Sequence, residues 1–172
     1  MRRLLLLRHA KAEPAHAGQD DHDRALTERG RTDAAAMARY LADQGYVPAR
    51  ILCSTSLRTV ETIEPLLKAT PAPVEYCAAL YLAPPGRLVA LAQDAADDDK
   101  ALMLVGHNPG LEQCAALLAR EAVKPKEQHR LDILEEKFPT AALAVLDFAL
   151  TDWKDLSPGT GKLVDFVRPR DL

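Results

Sequence analysis

The chain has 172 residues, of which 48% are hydrophobic and 27% charged, with a formal net charge of -3. That composition belongs to a folded chain of one-domain size and excludes a disordered segment. A weak negative charge, with no block of lysine and arginine, excludes a nucleic-acid binder that works by neutralising phosphates.

In chain order, residues 3–8 (Arg3, four leucines, Arg8) read as a short buried parallel strand. The leucine run is too short for a signal peptide or a membrane span, so a cytoplasmic protein is expected. Residues 12–25 carry Pro14, Gly18 and Asp20-Asp21-His22-Asp23 and read as an acidic loop. Thr27 is expected to cap a helix over 28–44, with Ala34, Met37, Ala38 and Leu41 as its apolar stripe and Gly45 as its stop. Residues 51–53 form a second strand, followed by a helix over 56–69 that Pro65 should kink or break. Residues 74–76 read as a third strand. Pro85 opens a helix carrying Leu88, Leu91, Ala92 and Ala95, and Asp97-Asp98-Asp99 reads as a solvated turn. A buried strand at 101–105 ends in Gly106-His107-Asn108-Pro109-Gly110. There Asn108 should cap, and Pro109 open, a helix burying Leu111, Cys114, Ala115 and Leu118. Residues 122–139 look charged and irregular, and strands follow at 141–148 and 162–167. The three cysteines, Cys53, Cys77 and Cys114, are scattered in apolar stretches and fit reduced core thiols. Strands alternating with helices predict an α/β layer fold with a mostly parallel sheet, as a single domain over 1–172.

In such folds ligands sit at the carboxyl ends of strands. That rule selects Arg8-His9, the segment from Ser54 to Arg58, and Gly106-His107. A leucine strand ending in Arg-His could simply be emerging into solvent. A second histidine, His107, follows another buried strand and precedes a helix start, where free N–H groups favour an anion. Arg58, early on the helix after the second strand, offers a planar fork of donors that matches phosphate oxygens, although alone it would read as a surface arginine. Converging, these residues would form a cationic phosphate pocket.

In this order the blocks resemble the histidine phosphatase (phosphoglycerate mutase-like) superfamily. Leu-Leu-Leu-Arg8-His9 looks like its signature, Ser54, Arg58 and Thr62 like its second block, and Val105-Gly106-His107-Asn108-Pro109-Gly110 like its third. The SixA-type phosphohistidine phosphatase branch is the nearest likeness. Arg8-His9-Ala10-Lys11, Asp23 to Gly30, Phe138-Pro139-Thr140-Ala141, Trp153 and Pro169-Arg170 are all similar to it. The resemblance implies a three-layer α/β/α sandwich with His9 as nucleophile and Arg8, Arg58 and His107 around the phosphoryl group. It implies no metal and no cofactor. Fixed arginines can stabilise the equatorial oxygens of an in-line phosphoryl transfer, and a histidine that titrates near about 6.5 is largely neutral and nucleophilic. Arg24, Lys11, Asn108 and Ser54 are auxiliary candidates. Arg24 would touch the phosphate or brace the loop, Lys11 would attract an acidic partner, Asn108 would cap its helix, and Ser54 would hold the second strand or touch substrate.

Two departures from the wider superfamily stand out. Ala10 replaces a glycine usual after Arg-His. The stretch Leu80-Tyr81-Leu82-Ala83-Pro84-Pro85-Gly86 lacks the acidic residue that many relatives use as proton donor. An imidazole leaving group needs that proton less than an alkoxide does, so the gap favours phosphohistidine. Glu13, Asp20, Asp21 and Asp23 remain possible donors. The absence of long insertions suggests an uncovered pocket, open to a histidine on a phosphorylated protein, and a monomer suits that. The competing readings are a metal-independent phosphatase of small esters or anhydrides and a non-catalytic phosphate-recognition module. A metal enzyme using His16 and His22 is disfavoured by their spacing in a solvated loop.

Overall fold

Residue alternation along the strands decides the architecture. The computed structural model describes residues 1–172, with six strands: β1 (Arg2–Arg8), β2 (Arg50–Ser54), β3 (Val74–Cys77), β4 (Ala101–Gly106), β5 (Leu143–Phe148) and β6 (Lys162–Val167). They form one sheet in the order β3-β2-β4-β1-β5-β6. In β1, Leu4 and Leu6 face one layer and Leu5 and Leu7 the other, and all four are buried. Both faces of the central strands are therefore covered, which is why β1 and β4 read as unbroken apolar runs.

Two helices cover one face. Met37, Ala38 and Leu41 of α1 (Glu28–Gln44) and Ile63 and Leu66 of α2 (Leu57–Ala69) pack on Leu5, Leu7, Ile51, Cys53, Met103 and Val105. The opposite face takes α3 (Pro85–Gln93), α4 (Gly110–Leu118) and α5 (Pro125–Glu136), through Leu88, Ala92, Leu111, Cys114, Leu118 and Leu134. The result is the expected three-layer α/β/α sandwich. The β1, β2, β3 and β4 pairings are parallel, while β5 pairs antiparallel with both β1 and β6. Only β5 therefore runs against the rest, and β6 ends at the same edge of the sheet as β1.

The local signals act largely as anticipated. The Thr27 side chain accepts from the Gly30 N–H and Gly45 closes α1 with φ 69°. Pro85 stands at the start of α3. Four expectations need correction. The segment 122–139 is not irregular: it contains α5, whose buried residues are only Glu127 and Leu134, so it shows almost no apolar stripe. The α2 helix runs through Pro65 without a break, since a proline there removes a single backbone donor. Helix α4 begins at Gly110 with Pro109 in the cap position, although the Asn108 Oδ1 still accepts from the Glu112 N–H at 3.2 Å. Asp99 is not a solvated turn residue. It is buried, accepts from Arg50 Nε at 2.6 Å, and its carbonyl accepts from the indole of Trp153.

Candidate active site

Strand order brings the three polar strand ends together. Both β1 and β2 pair with β4, with Arg8 in register with Gly106 and Cys53 with Val105. His9, Ser54 and His107 thus leave three adjacent strands at one edge, the carboxyl edge where ligands bind in parallel sheets. The backbone of His9 is tied on both sides: its N–H donates to the Gly106 carbonyl at 3.1 Å and its carbonyl accepts from the Ala141 N–H at 2.9 Å. From the other side of the site, Thr62 Oγ1 accepts from the Ala10 N–H at 2.9 Å and donates to the Arg58 carbonyl at 2.6 Å. This staples the end of β1 to the first turns of α2. Ser56 caps that helix by accepting from the Thr59 N–H, which sets Arg58 in its first turn.

The imidazoles of His9 and His107 face each other with ring centroids 5.3 Å apart, only 8% and 3% exposed. His9 Nδ1 lies 2.7 Å from the Ala10 carbonyl. A carbonyl can only accept, so Nδ1 holds the proton and Nε2 keeps its lone pair. His107 is arranged the other way. Its Nδ1 accepts from the Arg58 guanidinium at 3.3 Å, so Nε2 carries the proton and donates to Ser54 Oγ at 2.8 Å. Both rings are neutral in this arrangement. Burial, reinforced by the charges of Arg58, Arg8 and Arg24, pushes His9 down to about 4. Burial, with His9 and Arg58 beside it, pushes His107 down to about 3.

Two guanidinium groups complete the floor. Arg8 donates to the Phe138 carbonyl at 3.0 Å, and burial holds it below the usual arginine range. Arg58, 3% exposed, donates to the backbone carbonyl of Asp21 at 2.8 Å and to its carboxylate at 2.9 Å. The Nε of each is buried without a hydrogen-bond partner. These groups line a cavity of about 380 Å³. Lys11, Arg24 and Asn108 reach it as well, whereas Ser54 stands behind His107. Arg24 both lines the cavity and braces the loop, donating to Asp21 at 2.8 Å and to the Glu13 carbonyl at 2.7 Å. The cap role given to Asn108 is only part of its bonding, since its Nδ2 also donates to the Phe138 carbonyl at 2.8 Å. His22 does not join a metal site with His16: its Nε2 pairs with Thr55 Oγ1 at 2.8 Å, and His16 is exposed. The Ala10 methyl does not crowd the cavity, because it is buried in a separate small cluster with Leu26, Ala34 and Ala141.

Asp21 is the one carboxylate in the lining. It accepts from Tyr81 Oη, Arg24 and Arg58, and these bonds, that of Tyr81 foremost, hold it well below the usual carboxylate range. It is therefore a fixed anion and a poor proton donor. Tyr81 was not legible as a site residue. Its ring stands edge-on to His107 with centroids 5.4 Å apart, and Leu82 beside it (φ 50°) is a cavity wall 55% exposed. The only sequence signal for this pair was its place just after the third strand.

An α/β/α sandwich with two neutral imidazoles and two arginines converging on one carboxyl-edge cavity is the arrangement that the histidine phosphatase resemblance implies. The model of the histidine phosphatase superfamily (branch 1) matches residues 4–96, which include most of β1 with Arg8, and His9, Ser54 and Arg58. The chain belongs to that superfamily. An uncharacterized protein of Mycobacterium tuberculosis is 34% identical over 164 residues, covering 95% of this chain and 100% of its own length. Among solved structures, the candidate phosphohistidine phosphatase SixA of Agrobacterium tumefaciens is 33% identical, with a TM-score of 0.80 over 98% of each chain. The protein histidine phosphatase SixA solved with tungstate shares the fold, with a TM-score of 0.77 over 98% of each chain at 22% identity. The SixA-like, phosphoglycerate mutase-like fold is thereby established.

Proposed function

We propose that this chain is a hydrolase that removes phosphoryl groups from histidine side chains of phosphorylated proteins, through a phosphorylated His9. The observation that carries this reading is the tautomer of His9: with Nδ1–H held by the Ala10 carbonyl, Nε2 keeps its lone pair on a ring that lines the arginine-bearing cavity. In the first step Nε2 attacks phosphorus, the phosphorus–nitrogen bond of the substrate breaks, and the departing imidazole takes a proton from solvent. In the second step water attacks phosphorus on His9, inorganic phosphate leaves, and Nε2 regains its lone pair. Arg8 and Arg58 balance charge on the equatorial oxygens, the largest contribution in such transfers. An entering phosphoryl dianion would favour the protonated form of His107 against the burial and neighbouring cations that otherwise keep it neutral.

The choice of substrate rests on Asp21. The carboxylate nearest the reaction is fixed in its charged form by three donors, so an alkoxide leaving group would find no ready acid. General acid assistance is worth roughly two to four powers of ten. The exposed rim of Lys11 and Leu82 leaves room for a histidine presented by another macromolecule. Such substrates occur among cytoplasmic phosphotransfer proteins of signalling systems. The test is a pair of peptides of one sequence, carrying phosphohistidine or phosphoserine. We expect kcat/KM to favour phosphohistidine by at least about a hundredfold, with a phosphorylated His9 trapped on brief exposure. Comparable turnover of the two peptides would overturn the substrate assignment. Preferred hydrolysis of small phosphate esters would replace it, and binding without turnover would reduce the chain to a recognition module.

A further inference from the structure

A second cavity, of about 390 Å³, adjoins the catalytic one and shares Lys11 and Thr140 with it. Four of its lining residues are cations, Lys11, Arg29, Arg168 and Arg170, against one carboxylate, Asp33, and no hydrophobic residue lines it. In a chain with a net charge of -3 such a concentration is not a consequence of composition.

Topology builds this groove. Because β6 runs in the same direction as β1, its end delivers Arg168 and Arg170 to the edge of the sheet that carries His9 and His107. Thr140 precedes β5, whose first residue is paired with the end of β1. Arg29 stands in the first turn of α1, which is locked under the Lys11 segment: the Lys11 carbonyl accepts from the Thr27 N–H at 2.9 Å, and a Cβ at Gly30 would meet that carbonyl at 2.1 Å.

The cations are unequally committed. Arg168 is tied to Asp171 through two bonds of 2.9 and 3.0 Å. Arg29 is 3.9 Å from Asp33 and its side chain is 76% exposed, a loose pair of little worth in water. Lys11 and Arg170 are exposed and form no ion pair with any carboxylate of the chain. Two unpaired cations, a third loosely held, and a continuous wall to the catalytic pocket describe a site that takes a second negative charge on the same substrate.

We infer that the Lys11–Arg29–Arg170 groove is a specificity subsite for a carboxylate side chain flanking the phosphohistidine of the partner protein. This rests on the phosphohistidine reading above and names the surface chemistry of the substrate that reading requires. Rim charges of this kind act on encounter and selectivity, and their effect falls with salt.

The experiment uses binding, so that it does not depend on turnover. Labelled peptides carrying a phosphoryltriazole, a non-hydrolysable mimic of phosphohistidine, are prepared with flanking glutamates or with flanking glutamines. Fluorescence anisotropy should show the glutamate peptide bound about tenfold more tightly at low salt, two surface-type charge pairs contributing a few-fold each, and the gap should narrow in high salt. In the R29Q/R170Q double variant the gap should shrink to about twofold or less, with affinity for the glutamine peptide little changed. Equal affinities in the parent protein, or a gap that survives R29Q/R170Q, overturn the subsite. A small alkyl bisphosphate that binds more tightly than the glutamate peptide, and loses that advantage in R29Q/R170Q, overturns the protein partner. The matching phosphohistidine peptides are then offered as substrates. Binding discrimination without hydrolysis of either leaves the subsite standing and removes the phosphohistidine reading.

Discussion

The floor of the cavity and its rim are built by different means. In the floor, His9, Arg58 and His107, with Ser54 behind them, are at or below 8% exposure and Arg8 is half-buried; the two imidazoles are held by backbone ties or by one another's neighbours in the floor, and Arg58 by His107 and by Asp21. Their positions follow from strand register and one helix cap. The rim comprises Lys11, Arg24, Asp21 and Leu82, half-buried or exposed, contributed by residues 11–24 and by the turn after β3. It is assembled by side chains reaching across space, chiefly through Asp21. A rigid floor suits a transfer that demands in-line geometry, whereas an adjustable rim suits the recognition of variable partners. The two regions should therefore respond differently to mutation.

The largest contrast is expected at His9. His9→Asn keeps a side chain able to donate to the Ala10 carbonyl but removes the proposed nucleophile, so kcat should fall at least about ten-thousandfold. Circular dichroism and Tm should stay near those of the parent protein, and no phosphoenzyme should be trapped. By comparison, a rim change such as Lys11→Gln should alter KM by a few-fold and leave kcat nearly intact. A kcat for His9→Asn within tenfold of the parent would place the chemistry elsewhere.

The same division governs what could be read from the linear chain. The floor was legible because apolar runs ending in Arg8-His9, Ser54 and Gly106-His107 carry their own strand signal, and parallel pairing places such ends together. The sandwich followed from the same alternation. The rim was not legible. Tyr81 and Asp21 are 60 positions apart, and nothing local tells that one donates to the other. The acidic loop looked like a set of possible proton donors, but three convergent donors make Asp21 the reverse, a permanent anion. Helix α5 escaped for a related reason: with only Glu127 and Leu134 buried, its pattern is that of a solvated segment. Gly30 gave no sign that its missing side chain makes room for the Lys11 carbonyl.

A buried floor of neutral histidines has a cost in acid, smaller than the loss of chemistry but measurable. Folded His9 and His107 titrate at about 4 and about 3, against 6.5 for the free side chain. Between those values the unfolded chain binds more protons than the folded one, so stability rises with pH across the window. It is fully present above about 6.5 and is lost as pH falls toward 4 and 3, by about 1.4 kcal/mol per pH unit for each histidine. Denaturant unfolding at pH 4, 5, 6 and 7 should show this slope, and the His9→Gln/His107→Gln double variant should flatten it. An equally steep slope in that variant would assign acid sensitivity to other groups. Asp21 cannot account for the window, because its depressed carboxyl loses its stabilising bonds only below the ordinary carboxylate range.

The smallest effect, and the one that sets rim against floor most directly, is at Asp21. Its carboxylate occupies donors of Arg58 that the proposed phosphoryl group would compete for, and it cancels charge in the cavity. Asp21→Asn keeps the shape and can still accept from Tyr81, but it removes the negative charge. Inorganic phosphate should then inhibit about three- to tenfold more strongly, corresponding to roughly 1 kcal/mol of relieved repulsion at a partly exposed site. Unfolding should become easier by a similar amount, since Arg24 and Arg58 lose a charged acceptor. The direction of the phosphate effect discriminates between two roles. Tighter inhibition means that Asp21 competes with the anion and is displaced when substrate enters. Weaker inhibition means that Asp21 orients Arg58, in which case Tyr81→Phe, which loosens the same carboxylate without removing its charge, should weaken phosphate binding as well.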